Sequence, residues 1–131
     1  MICFVVKGRP YSVQASAARL NAWKKTVADA ARPKFPIPLD RNDVRIKITF
    51  FYNTLPDFDT DNVSKPICDA LNGIAYADDH QLGERIARRR DINGSYRIRG
   101  VSPKLAVAIA EGEDFVFIEI DRPGPDEVNQ P

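Results

Sequence analysis

Residues 56–81 read Pro56-Asp-Phe-Asp-Thr-Asp-Asn-Val-Ser-Lys-Pro-Ile-Cys-Asp-Ala-Leu-Asn-Gly-Ile-Ala-Tyr-Ala-Asp-Asp-His-Gln81, with six Asp and one Lys between Asp57 and Asp79. Carboxylates two apart in an extended segment point to the same side. Asp57, Asp59 and Asp61 could thus converge on one hard cation, and oxygen ligands suit Mg2+ or Mn2+. Pro66 has no N–H to give a helix interior, so the spacing predicts a short helix from around Ser64. It ends near Asn72-Gly73, where Gly suits the position just past a helix. Lys65 and Asp69 then lie one turn apart on one face, with Asp61 approximately in line. Past Gly73 the chain reverses and brings back Asp78-Asp79. Neighbours in an extended chain point opposite ways, so one of that pair is expected to face the site.

Two generic motifs fail on this stretch. A calcium-binding helix-loop-helix starting at Asp57 needs Gly at position 62 and Glu at position 68, where Asn62 and Cys68 stand. A restriction-type Pro-Asp pair is present at Pro56-Asp57, but no Asp/Glu-x-Lys triplet follows it in order. The remaining competitor is a solvated Asp-rich turn capping a helix. One Lys embedded among six Asp weighs against it, because that combination is expected of phosphoryl chemistry.

Working outward, Ile2 to Val6 reads as a strand ended by Lys7-Gly8-Arg9-Pro10. Leu20, Trp23 and Val27 recur at helical spacing from about Ser16 to Ala31, and Pro33 closes that helix. Trp23 reads as a core residue. Arg32 to Leu39, with three prolines, is an extended connection. Val44, Ile46, Ile48 and Phe50 alternate with polar residues, as in a half-buried strand. From Gln81 the Asn93-Gly94 pair argues for a hairpin, strand, turn and strand, running to about Val101. Ser102-Pro103 has the order of a helix cap and first turn, opening a helix through Ala110. Phe115 to Ile120 is apolar on both faces and predicts a central strand. The expected layout is one domain over residues 1–122 and a polar, Pro-containing tail over 123–131.

Nineteen Lys and Arg against eighteen Asp and Glu leave a net charge of +1, which excludes a protein that coats nucleic acid by bulk charge. That total is a sum of opposed blocks. Lys7, Arg9, Arg19, Lys24 and Lys25 precede the first acidic residue, Asp29, and six Arg fall between Arg85 and Arg99. With a two-residue Asn93-Gly94 turn, Arg88 pairs with Arg99 and Arg90 with Arg97, all four on one face. Like charges directly opposite destabilise a hairpin. Phosphates are the natural compensation, so this face and the N-terminal group (Lys7, Arg9 and Lys24 foremost) are the candidate DNA surfaces. His80, beside a turn, reads as merely polar.

Leu, Ile, Val and Phe supply about 27% of the 131 residues, above the roughly 20% below which chains tend to stay disordered. Apolar runs are short and no membrane span is expected. Cys3 and Cys68 form no metal-binding spacing and read as reduced thiols. With no signal-peptide pattern at the N-terminus, the expectation is a soluble, cytoplasmic protein, associated with the nucleoid when bound to DNA.

The series Asp59-x-Asp61-Asn62-x-x-Lys65-x-x-x-Asp69-x-Leu71-Asn72-Gly73, then Tyr76-x-Asp78-Asp79-x-Gln81, closely resembles the RusA-type Holliday junction resolvases. The first strand, followed by Gly8-Arg9-Pro10-x-Ser12 and a helix bearing Trp and Lys, resembles that family's start. The resemblance covers roughly residues 2 to 92 and is weaker beyond Asn93, where the helix near Lys104 to Ala110 reads as an insertion. It implies an α+β fold with a mixed sheet packed by helices, assembled as a homodimer. It implies Mg2+-dependent cutting of four-way DNA junctions by paired symmetric incisions. Carried over, Asp59, Asp61 and Asp79 are the essential carboxylates and metal ligands, and Lys65 is the essential basic residue. Asp78 against Asp79 is the least secure of these positions.

The expected chemistry is consistent with the residues. Carboxylates hold a cation that polarises the scissile phosphate, Lys65 stabilises developing charge, and Asp69 orients Lys65. Two alternatives stand beside this reading: a related flap or fork nuclease, and a non-catalytic DNA-binding protein with a structural cation.

Overall fold

The computed structural model describes residues 1–56, 59–94 and 102–122. Four strands and three helices follow in the order β1 (Ile2–Lys7), α1 (Ala17–Ala31), β2 (Val44–Tyr52), α2 (Thr60–Ala70), β3 (Leu82–Asp91), α3 (Pro103–Glu111) and β4 (Phe115–Asp121). Short 3-10 turns occupy Arg32–Lys34 and Asp79–Gln81. The sheet order is β1-β4-β2-β3, with β4 antiparallel to both its neighbours and β2 parallel to β3. This is a small α+β domain with a mixed sheet. No helix among the described residues is long and apolar enough to cross a membrane.

Phe115, Val116, Phe117 and Ile118 are all buried. An uninterrupted apolar run needs cover on both faces, and β4 sits inside the sheet accordingly. On one face Phe4, Val6, Ile46, Ile48, Phe50, Val116, Ile118 and Ile120 meet α1 and α2 through Trp23, Val27, Val63, Ile67 and Leu71. On the other face Phe51, Phe115 and Phe117 meet α3 through Leu105 and Ala108. Phe51 and Phe115 stack there with ring centroids 4.7 Å apart. Truncating Ile67, fully buried at the centre of the larger cluster, is the type of change that costs about 2–5 kcal/mol.

Helix ends follow local chemistry. Ser16 Oγ accepts the Arg19 N–H to open α1, and Ser102 Oγ accepts the Leu105 N–H to open α3, with Pro103 in the first turn. Gly112, at φ 72°, ends α3 in the left-handed conformation that glycine tolerates.

Two expectations meet the structure here, one corrected and one left open. First, α2 begins at Thr60 rather than around Ser64, with Pro66 inside it. The Asn62 carbonyl, which a helical residue 66 would normally bond, instead accepts the Val13 N–H at 3.1 Å. A segment from outside the helix thus satisfies the acceptor that proline leaves open. Second, β3 has a parallel partner in β2. It ends in a turn in which Gly94 N–H donates to the Asp91 carbonyl and Asn93 N–H to Asp91 Oδ1. The expected return strand, with Arg97 and Arg99, lies outside the described residues, as does the tail.

Candidate active site

Strands β2 and β3 are parallel, so α2 must return between them against the strand direction. It starts near the end of β2 and finishes near the foot of β3. Asp59 is the residue before the first turn, in extended conformation, and its side chain makes no capping bond. Asp61 lies in the first turn. Because the helix starts this early, Asp61, Lys65 and Asp69 form one i, i+4, i+8 row on its surface. Lys65 Nζ reaches Asp69 Oδ2 at 3.3 Å. The expected convergence of Asp57, Asp59 and Asp61 required an extended chain, which Thr60 ends; Asp57 itself lies outside the described residues.

The paired acids separate by role. Asp78 caps the 3-10 turn before β3, its Oδ1 accepting the His80 N–H at 3.1 Å. That backbone bond, and then a side-chain bond with Asp79, hold the Asp78 carboxyl below the usual carboxylate range. Asp79 Oδ2 instead meets Arg85 Nη2 at 3.4 Å. Gln81, 6% exposed, locks the turn in place. Its Oε1 accepts from Ala77 and Asp78 N–H, while its Nε2 donates to the Leu39 and Arg41 carbonyls.

Between α2 and β3 lies a cleft of about 540 Å³, lined by Asp61, Ser64, Lys65, Arg85, Ile86 and Ala87. It is an acidic and basic slot open to solvent. Carboxylate oxygens are the right donors for a hard divalent cation. Among the described residues, however, no three of His, Cys, Asp or Glu stand close enough to hold one ion. Asp59 and Asp61 start an 11-residue helix about 16 Å long, whereas the Asp79 charge acts on Cys68, near the helix's other end.

The sequence model of endodeoxyribonuclease RusA matches residues 5–110. The chain belongs to the RusA family. Membership makes it an endodeoxyribonuclease and implies nuclease activity of the Holliday junction resolvase type. The match runs into α3. A comparison with curated proteins found no match.

The basic residues of this RusA-family chain are dispersed. Lys7 pairs with Glu111 at 3.1 Å, and Arg9 pairs with Asp114 at 3.1 Å while its guanidinium also lies 5.8 Å from the Phe50 ring centre. Lys7 thus meets the last residue of α3 and Arg9 the connection from α3 to β4, so each has an acidic partner. Lys24 is half-buried on α1. Register with β2 places Arg88 beside Thr49 and Arg90 beside Phe51, on the α3 side of the sheet, and Arg88 Nε donates to Thr49 Oγ1 at 2.9 Å. Arg85 and Arg89 pair with Ile46 and Phe50, on the α2 side. The expected Arg88 and Arg90 face is thus the face away from the carboxylates. Arg85, which sequence reasoning left within an undivided basic block, is the arginine that enters the cleft. Strand alternation separates Arg85 and Arg89 from Arg88 and Arg90 and was available as a signal.

Proposed function

We propose that this RusA-family chain is a Mg2+-dependent, structure-selective endodeoxyribonuclease, with Mn2+ able to replace Mg2+. It acts as a homodimer that resolves four-way DNA junctions by paired symmetric incisions, in the cytoplasm on nucleoid DNA. The observation that carries this reading is Asp61 and Lys65 lining a cleft shared with Arg85, with Asp69 on the same helix row holding Lys65. Asp59, Asp61 and Asp79 would hold the cation. When bound, it supplies Lewis acidity to the scissile phosphate. Lys65 Nζ, held by Asp69, stabilises charge on the non-bridging phosphate oxygens and can deliver a proton to the leaving 3′ oxygen. Basic side chains along β3 meet the backbone, whose contacts position a substrate without reading its sequence. An ammonium inside the carboxylate group favours this over a structural cation, which gains nothing from a neighbouring positive charge.

The test is incubation of the protein with a labelled four-way junction, a fork and a linear duplex, with and without Mg2+. Wild type is expected to nick the junction symmetrically only with Mg2+. Asp61→Asn is expected to bind the junction without cutting it, and full activity of that variant would overturn the assignment. Preference for the fork would favour a flap or fork nuclease. Binding with no cutting of any substrate would leave a DNA-binding protein.

A further inference from the structure

The arginines of β3 divide between the two faces of the sheet, and a bulge decides which go where. Val44 pairs with Leu82 but Arg45 pairs with Glu84, so β3 carries one extra residue at Gly83. A one-residue shift sends every later side chain to the opposite face, and bulges next to active sites re-aim side chains in this way. As the strand stands, Arg85, Ala87 and Arg89 pair with Ile46, Ile48 and Phe50, which pack on the α2 side. Without the bulge all three would turn to the α3 side.

Two hollows adjoin along this row. Arg85 lines the cleft of about 540 Å³ with Asp61, Ser64 and Lys65. Arg89 lines a smaller apolar pocket with Thr60 and Val63. Ala87 borders both, and its short side chain leaves the groove open between the two arginines. Four residues of strand set Arg85 and Arg89 about 13 Å apart.

The charges suit an anion. Two cations line the cleft against one carboxylate, Asp61. Arg85 meets Asp79 through a single 3.4 Å contact, with 41% of its side chain exposed. Lys65 meets Asp69 at 3.3 Å and is more exposed still. Solvated contacts of this kind hold weakly and leave the cation available. The Arg45–Asp121 pair shows the contrast, with two bonds of 3.0 Å and both side chains about three-quarters buried, a geometry that fixes a position.

We propose that the groove between α2 and β3 is the track of the DNA backbone, with Arg85 and Arg89 as its phosphate contacts on the β3 wall. This rests on the reading of the cleft as the nuclease site, and it adds the face of the sheet on which the substrate lies. A guanidinium presents a planar fork that matches phosphate oxygens. Each such contact releases counterions condensed on the duplex.

The test is the salt dependence of binding to a labelled four-way junction without divalent cation. Wild type, Arg85→Met, Arg89→Met and Arg85→Lys are compared, and thermal unfolding midpoints confirm that each is folded. One lost phosphate contact lowers the slope of log affinity against log salt by about 0.9. Arg85→Met and Arg89→Met should each bind more weakly than wild type at low salt. The gap should close about threefold between about 50 and 200 mM salt, a change that a purely structural role would not produce. Arg85→Lys keeps the charge and should keep the slope. Arg85→Met should show the same loss in an Asp79→Asn background, because a direct contact does not act by covering that carboxylate. A wild-type slope in folded Arg85→Met or Arg89→Met would overturn the track, as would a loss that vanishes beside Asp79→Asn. Cutting by Lys65→Met, assayed with Mg2+, separates the two readings. Lost cutting with unchanged arginine slopes overturns the track alone, whereas cutting at the wild-type rate overturns the reading of the cleft as the nuclease site.

Discussion

The N–H of Val13 donates to the carbonyl of Asn62 at 3.1 Å, tying the loop before α1 to the helix turn that carries Asp61 and Lys65. Val13 is the second residue of a turn in which Ala15 N–H donates to the Ser12 carbonyl, a position where proline fits. Val13→Pro therefore removes the donor with little other disturbance. It is expected to destabilise the fold by about 1 kcal/mol, read as a shift in urea midpoint, and to reduce junction cleavage. In a Pro66→Ala background the helix supplies its own donor to Asn62, so the penalty should shrink. Equal penalties in the two backgrounds would show that the bond does not replace the missing helical one.

Gln81 makes two accepting and two donating bonds while almost fully buried. Gln81→Leu leaves four backbone groups without these partners and should cost about 3 kcal/mol. The 3-10 turn holding Asp79 should loosen as well, visible as faster amide exchange at Asp78 and His80. Wild-type stability in this variant would mean that other groups or water replace the side chain.

The Cys68 thiol is fully buried, and burial pushes its pKa from 9.0 up to about 11. A group whose folded value exceeds its unfolded value contributes stability that is intact below the unfolded value and disappears as pH rises through the folded one. The advantage of wild type over Cys68→Ala should therefore be constant below about pH 9 and shrink toward pH 11. Urea midpoints of the two proteins across that interval measure it. A gap that stays constant would show that Cys68 does not titrate differently on folding.

Much of this fold is legible in the sequence because its signals are local. Ser16 and Ser102-Pro103 mark helix starts through bonds within one turn, and the apolar run from Phe115 declares a strand covered on both sides. What is not legible depends on distant partners. Pro66 argues against a longer helix until Val13 is known to supply the missing bond. Lys7 and Arg9 look like free charges until the fold brings Glu111 and Asp114 to them across more than a hundred residues. The candidate site divides in the same way. The row from Asp61 to Asp69 follows from helical spacing once the helix start is known. The entry of Arg85 into the cleft depends on a bulge against β2, which a single strand's sequence does not reveal.

Asp69 holds Lys65 at 3.3 Å and is itself more shielded, at 29% exposure against 65%. If its work is to orient the ammonium, Asp69→Asn should lower kcat for junction cleavage roughly tenfold with junction affinity unchanged. Asp69→Glu should recover part of that loss. A change confined to junction affinity would assign Asp69 to substrate binding instead.

The position of β4 sets a constraint on how the enzyme comes into being. This strand lies between β1 and β2, and among the described residues β1 pairs with it alone. A nascent chain that has emerged only as far as α3 carries the whole Asp61–Arg85 region but has a first strand still without β4, its partner in the finished sheet. The sheet behind the nuclease site is completed only when Phe115–Asp121 leaves the ribosome, so this scaffold closes around site residues that were all made before it.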